Sequence, residues 1–522
     1  MAHTMVMEKV KIAKPFDEAL CLAGFGKFNI YVLLATGLCL MCVIIESMCA
    51  MFITPAAQCD LNLDLSQKGL MYSISFLGIV SSSHMWGYLA DTKGRKIVLI
   101  VSLVSSAVVG FICSFVSLPW LFILLRFING FLIGGSSAII YAFAGEFHDD
   151  IFRPKVVSWI ATFVALGNMY LPGLAWVVLP QNWSFEIPYI NLLFRPWRLL
   201  AIIYSMPSLL AAFLIFFLPE SPKYLLTQGK HKEVMVILTK IFCVNTGKKP
   251  GDYAVSSIIW SEAVTGVQHE ENENMFKSMW RQTVPLFKRE FLVKTLLVCF
   301  LQFSIFLTTS SIIMWYPQIL NSMTEYGKNE SESKVTMCKS ILFDEETTVA
   351  AETSGKSLIS KTCRDTVNTE VFLVSLVVGI AYACCYVFIG SVINILGKKN
   401  LLVGFLVVTT VSGLCAQLLS GYSLIQIGLG IFLMAGTGIG IVNAISVDLY
   451  PTQIRGMALA VSLMFGRFGA MTGSNIGGPL MSQICDYTFY IIATIHILII
   501  IVVVLLPSAQ KSRTEVETKE ER

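Results

Sequence analysis

Three charged side chains lie inside long apolar runs of this sequence: Glu46, Arg126 and Arg467. A charge in hydrocarbon costs several kcal/mol, so such residues pair with one another or face a water-filled cavity. Glu46 lies about eight residues from one end of its run and Arg126 about six, which at 1.5 Å per residue puts both roughly 9 to 12 Å below one membrane surface. The shared depth makes an ion pair plausible, and Glu46 is the one intramembrane carboxylate that could carry a proton. A snorkelling Arg126 beside a protonated Glu46 is the alternative. No acidic neighbour can be assigned to Arg467. The three deep charges sum to +1, which leans toward an anionic or zwitterionic ligand; an arginine held by backbone carbonyls fits equally well. No phosphate-cradling glycine loop, metal-ligand cluster or nucleophile-and-base constellation stands in the chain, so the sequence speaks against an enzyme and implies no metal, cofactor or nucleic acid.

The elements that must position these charges follow from composition. With 55% hydrophobic and 14% charged residues and a mean hydropathy of +0.70, the chain belongs in a bilayer. Twelve runs have the roughly 20 apolar residues that a 30 Å hydrocarbon core demands. They cover 28–53, 70–90, 97–116, 121–144, 156–178, 197–218, 292–319, 371–395, 401–419, 424–447, 458–482 and 487–506. The polar stretch before the first run does not read as a cleavable signal peptide. With the N-terminus inside, the inner loops and tails hold 27 of the 38 Lys and Arg and the outer loops eight, so both termini are expected in the cytoplasm. The sequons at Asn182 and Asn329 both fall in loops placed outside, as glycosylation requires.

The sequence also repeats itself. "GYLADTKGRK" (Gly87 to Lys96) returns as "GSVINILGKK" (Gly390 to Lys399), and the Glu146 to Arg153 spacing returns from Asp448 to Arg455, at offsets of 303 and 302 residues. An all-α protein of two parallel six-helix halves, 28–218 and 292–506, is the expectation. The segment 219–291 reads as a linker with short surface helices, and the tail beyond 506 as solvated.

Gly87, Asp91, Gly94, Arg95 and Lys96 match the loop signature of the major facilitator superfamily. "PESPKYLL" at 219–226 resembles its sugar and organic-ion porters. "GFGKFN" at 24–29, "QCDLNL" at 58–63, "WYPQIL" at 315–320, "DLYPTQIRG" at 448–456 and "GRFGAMTGSNIGG" at 466–478 resemble synaptic vesicle glycoprotein type 2 and its insect-like relatives. The resemblance implies the twelve-helix fold and a secondary transporter that rocks its halves about a central site. It implies a cytoplasmic latch at Asp91 and Arg95 with Glu146, Arg153, Asp448 and Arg455, weaker in the second copy, where Asn394 replaces the aspartate. It also places the first and fourth spans, and so Glu46 and Arg126, on the central cavity. "RFINGFLIGG" from Arg126 resembles the motif of proton-coupled members, but Asn129 stands where Gln is usual and Val43 where an Asp is frequent. Proton coupling therefore stays open.

Tyr72, Tyr141, Trp176, Trp315, Tyr316 and Tyr382 are candidates to stack on an organic solute, or are interface anchors. The seventh span, "LQFSIFLTTSSIIMWYP", lacks the glutamine pair and asparagine of sugar porters, so hexose is disfavoured. His84 and His496 read as packing residues. Cys338 and Cys363 share the outer loop 320–370 and are a candidate disulfide. The expected protein is a monomeric transporter of a small organic solute in the plasma membrane or a vesicle membrane. A transporter-like binding protein is the competing reading.

Overall fold

The computed structural model describes residues 12–190, 192–259, 284–329, 335–342, 367–450 and 452–506. A short strand β1 (Ile12–Pro15) and helix α1 (Phe16–Ala23) precede the first six-helix group. That group comprises α2 (Lys27–Met48) continued by α3 (Ala50–Ala57), α4 (Leu65–Lys93), α5 (Arg95–Cys113), α6 (Pro119–Gly145), α7 (Arg153–Val178) and α8 (Pro196–Phe216). A hairpin of β2 (Phe185–Ile187) and β3 (Leu192–Phe194) joins the last two. The linker forms α9 (Pro222–Thr227), α10 (His231–Thr246) and β4 (Val255–Ile259). The second group has α11 (Arg289–Ile313) broken before α12 (Tyr316–Asn329), α13 (Thr369–Leu396) and α14 (Lys398–Leu418). It ends with α15 (Tyr422–Leu433), a single 3₁₀ turn, α16 (Gly438–Leu449), α17 (Thr452–Gln483) and α18 (Cys485–Leu505).

Local chemistry sets the boundaries. Pro occupies the first helical position of α6, α8 and α9, where its missing N–H costs nothing. Asp64 opens α4 through a capping box: its carboxylate accepts from the Gln67 N–H at 2.7 Å, while its own N–H donates to the Gln67 side chain at 3.1 Å.

Among the described residues, ten helical spans are long and apolar enough to cross a membrane. The expected runs 70–90 and 458–482 fall on α4 and α17, which at 29 and 32 residues are long enough but richer in small and polar residues. Their packing explains the composition. A Cβ at Gly78 would run into the Phe127 carbonyl, and one at Gly130 into that of Ser75, so α4 and α6 meet backbone to backbone. Gly469, Gly473 and Gly477, four apart on α17, press in the same way against the carbonyls of Phe303, Leu307 and Ser311 on α11. Small residues that admit a neighbouring backbone replace apolar bulk as the source of helix association.

The linker forms the expected short helices, α9 and α10, and adds one strand to them. β4 pairs in parallel with β1, Ile12 opposite Val255 and Pro15 opposite Ile259, and the Tyr253 hydroxyl donates to the Ala19 carbonyl at 2.6 Å. Linker and N-terminal segment thus form one small cap on one face, called here the linker face. The loop expected over 320–370 is shorter at its start, because α12 carries the helix to Asn329. The expected Cys338–Cys363 disulfide is also corrected. Cys338 bonds Cys485 at the start of α18, 147 residues away, and Cys363 lies outside the described residues. The pairing has a physical cause: the Gly421 N–H donates to the Val335 carbonyl at 2.9 Å, and the Gln417 amide to the Cys338 sulfur at 3.1 Å, which seats 335–342 on the end of the second group.

Candidate functional site

Glu46 on α2 and Arg126 on α6 are brought together. A guanidinium nitrogen of Arg126 lies 3.2 Å from the Glu46 carboxylate, another donates to the Glu46 backbone carbonyl, and the Ser75 hydroxyl is at 3.4 Å. Asn129 and Ser205 also approach the carboxylate. The placement differs from the expected cavity wall. Glu46 is 1% exposed and Arg126 4%, and these partners come from α4, α6 and α8 of the same half, so the pair sits inside the first bundle. Asn129, the departure from the proton-coupled motif, donates to the Ser106 carbonyl at 3.0 Å and so ties α6 to α5.

Arg467 occupies the seam between the halves. From α17 it donates to the hydroxyl of Ser83 on α4, at 3.3 Å, and to that of Ser137 on α6. Tyr141, one turn beyond Ser137, lies within electrostatic reach of the guanidinium and is 37% exposed. Among the described residues no carboxylate comes within ion-pair distance of Arg467. Ser83 and Ser137 carry no motif that reveals them; one helical turn separates Ser137 from Tyr141, and that period was the available signal.

Further from the linker face the halves close on each other. Asn475 donates to the Ser73 hydroxyl at 2.6 Å, and the Trp315 indole N–H to the Ser474 carbonyl at 2.9 Å while its ring meets Tyr72 edge-on at 4.9 Å. Gly379 on α13 allows the Asn168 backbone of α7 to come close enough that a Cβ would lie 2.9 Å from its carbonyl oxygen. Trp315 is therefore built into a closed seam. Tyr316 and Tyr382 border a cavity of about 30 Å³ between the halves. His496 bridges Thr308 at 3.1 Å and Thr410 at 2.6 Å as a packing residue of the second bundle.

At the linker face Arg95 pairs with Glu146, whose other oxygen accepts from Ser221. Asp91 stands 3.7 Å from Arg95 and is half exposed, so the close partner of Arg95 is Glu146 and not Asp91. The N–H groups of Arg95 and Lys96, at the start of α5, donate to Glu220 at 3.0 and 2.9 Å. An anion at a helix N-terminus satisfies orphan donors and the helix dipole together. Gly94, at φ +105°, makes the turn that a residue with a Cβ would resist. By contrast no described residue comes within 4 Å of a Cβ placed at Gly87 or Gly390, so among the described residues no close helix approach depends on them. Arg153 binds the Gly145 carbonyl at 3.0 Å, Asp150 at 2.6 Å and Asp17 at 3.4 Å. In the second copy Lys398, the counterpart of Arg95, pairs with Asp448 at 2.6 Å. The side chains of Arg455, Asn394 and Asn329 lie outside the described residues. Asn182 is exposed.

Two repeated helical groups, with a seam between them and matching charged loops at one face, define a transporter scaffold. The Major Facilitator Superfamily profile matches residues 36–335 and 363–522, and the chain belongs to that superfamily. It is 29% identical over 339 residues to synaptic vesicle glycoprotein 2B of Mus musculus, covering 61% of this chain and 49% of that protein. It is 27% identical over 337 residues to synaptic vesicle glycoprotein 2A of Homo sapiens, covering 60% and 45%. The chain thus spans about half the length of these curated relatives. The fold is that of the xylose transporter XylE from E. coli in a partially occluded inward open conformation, with TM-score 0.61, 13% identity and coverage of 92% of this chain and 100% of that one. The nucleoside transporter NupG superimposes with TM-score 0.57 and 14% identity, over 92% and 99%.

Proposed function

We propose that this protein is a secondary active transporter that carries a small organic solute, anionic or zwitterionic, by alternating access between halves 28–218 and 292–506. The observation that carries this reading is Arg467: a guanidinium from one half, held across the seam by two hydroxyls of the other, next to a seam closed beyond it. Hydroxyl partners leave its charge uncompensated and exchangeable for a solute anion. Rocking of the halves breaks the Ser83 and Ser137 contacts, which couples occupancy of the seam to its geometry. We place both termini in the cytoplasm on the basic-residue asymmetry, which makes the linker face the inner one and the closed part of the seam the outer one. A vesicle membrane is supported by the names of the relatives. A monomer suffices, because the site lies within one chain.

The proton is the coupling ion on this reading, taken up by Glu46 as Arg126 releases it; a D-xylose-proton symporter shares the fold at 15% identity. Uptake into proteoliposomes with and without a pH gradient tests both levels. Glu46→Gln should abolish the response to the gradient and leave solute exchange measurable. Glu46→Gln and Arg126→Gln should each lower the thermal midpoint more than the double variant does, because a lone buried charge costs more than a neutral pair. Additive effects would separate the two residues. Solute binding without uptake would favour the transporter-like binding protein.

A further inference from the structure

Resting on the transporter reading, we propose a substrate class: an amphipathic organic anion, a carboxylate or sulfonate bearing one aromatic or branched apolar body, and not a polyol.

The wall of the seam supplies the argument. It begins at Arg467 and runs through Tyr141, which is within reach of both Arg467 and Tyr386. Tyr386 lies one helical turn from Tyr382 on α13, with ring centroids 6.4 Å apart. Tyr382 in turn borders the cavity between the halves, whose walls include Phe52, Leu171 and Val378. A cationic side chain is therefore followed along the seam by three tyrosines, the last of which borders an apolar chamber.

The polar groups of that chamber are few, and two are already engaged: the Tyr382 hydroxyl donates to the Leu433 carbonyl at 2.6 Å, and the Ser375 hydroxyl to the Val371 carbonyl at 2.7 Å. Tyr316 is 1% exposed, and its buried hydroxyl has no hydrogen-bond partner among the described residues at the chamber wall. Together with Asn168 it offers a sugar too few partners for its hydroxyls, and each hydroxyl buried without one is penalised. The chamber itself, at about 30 Å³, has room for little more than a water in this closed seam, so its lining and not its present volume selects the solute. Glu46 does not offset the charge of Arg467, because it is paired with Arg126 inside the first bundle.

The test uses the purified full chain in detergent and tritiated 3-phenylpropionate as probe, with propionate, 3-phenylpropanamide and D-xylose as competitors. Phenylpropionate should bind at least tenfold more tightly than propionate, which lacks the body, and than the amide, which lacks the charge; xylose should not compete. Arg467→Gln should reduce phenylpropionate to the affinity of the amide, while Arg467→Lys stays within about threefold of the parent. Val378→Trp, which fills the chamber, should reduce it to the affinity of propionate. Competition by xylose, or unchanged affinity in monodisperse Arg467→Gln and Val378→Trp proteins, would overturn the proposal. Uptake assays separate the two readings. Binding of the probe without uptake sinks transport and keeps the class, whereas xylose uptake without probe binding sinks the class and keeps transport.

Discussion

The loops after α4 and after α13 descend from one repeated sequence, yet they are built to different strengths. Both turn on a glycine of positive φ, +105° at Gly94 and +80° at Gly397, and both place a basic residue at the next helix start against an acid 51 or 50 residues later. In the first copy the side chains of Arg95 and Glu146 are 18% and 9% exposed, and the linker adds Glu220 over the helix N-terminus and Ser221 against Glu146. In the second, Lys398 and Asp448 are 30% and 37% exposed, and among the described residues nothing comes within 4 Å of a Cβ at Gly397. The turn is common property of the fold. Among the described residues, the linker strengthens only the first copy of the joint. One half is therefore clamped to the cap at the linker face, while among the described residues the matching joint of the other is held by the solvated Lys398–Asp448 pair and by lysine bonds to two backbone carbonyls, Lys398 to Ala444 and Lys399 to Leu506.

The largest effect expected is at Glu146. Glu146→Ala strands the mostly buried Arg95 and should cost on the order of 3 kcal/mol, whereas Asp448→Ala should cost no more than about 1 kcal/mol as an exposed pair. Thermal unfolding midpoints of the two variants decide it, and equal shifts would break the comparison. Glu220→Ala removes the shared acceptor of two helix-start N–H groups and should cost about 1 to 2 kcal/mol. In a Glu146→Ala background its effect should shrink, since the two carboxylates meet through Ser221; full additivity would show that the linker acts independently of the charge pair. The smallest effect is titration. His148 and Tyr450 occupy equivalent positions 302 residues apart, and only the histidine can change charge near neutral pH. Burial holds His148 below the ordinary histidine range, outweighing the opposing pull of the Ala144 carbonyl and Asp149. The unfolded chain then takes up the proton first, so stability is present above about pH 6.5 and declines as pH falls through that value. Midpoints measured between pH 7.5 and 5.5 should fall less for His148→Gln than for the parent; parallel curves would dismiss the histidine.

Much of this was legible in the sequence. Repeat offsets, apolar runs and the rarity of buried charge placed all twelve expected spans on helices and singled out Glu46 and Arg126. Each of those signals is local in sequence or fixed by the bilayer. What escaped depends on contacts between distant segments. Glu220 was read as part of a motif and not as an N-terminal cap, because the helix it caps begins 125 residues earlier. Asn245 accepts from the Phe28 N–H at 3.0 Å and donates to Gly24 and Asn29, which accounts for the spacing of "GFGKFN", but nothing near 24–29 names that partner. The orientation of the Glu46 pair, inward to its own bundle, was hidden for a related reason: a helical period says which residues share a face, and not which neighbour that face meets. The glycines at 469, 473 and 477 were read only as part of the resemblance at 466–478; their four-residue spacing is explained by the backbone of α11 that they admit.

The parallel pairing of β1 with β4 bears on how the protein is made. Residues 12–15 leave the ribosome early, but their partner ends at Ile259, 244 residues after Pro15. At about 5 to 20 residues per second that is a delay of roughly 12 to 50 s. For most of it, until residues 220 and 245 are made, the first six-helix group lacks the Glu220 cap and the Asn245 clamp as well as its strand partner. The Arg95 joint therefore closes in two stages: Glu146 can meet Arg95 before the linker exists, but the helix-start N–H groups of Arg95 and Lys96 wait for Glu220.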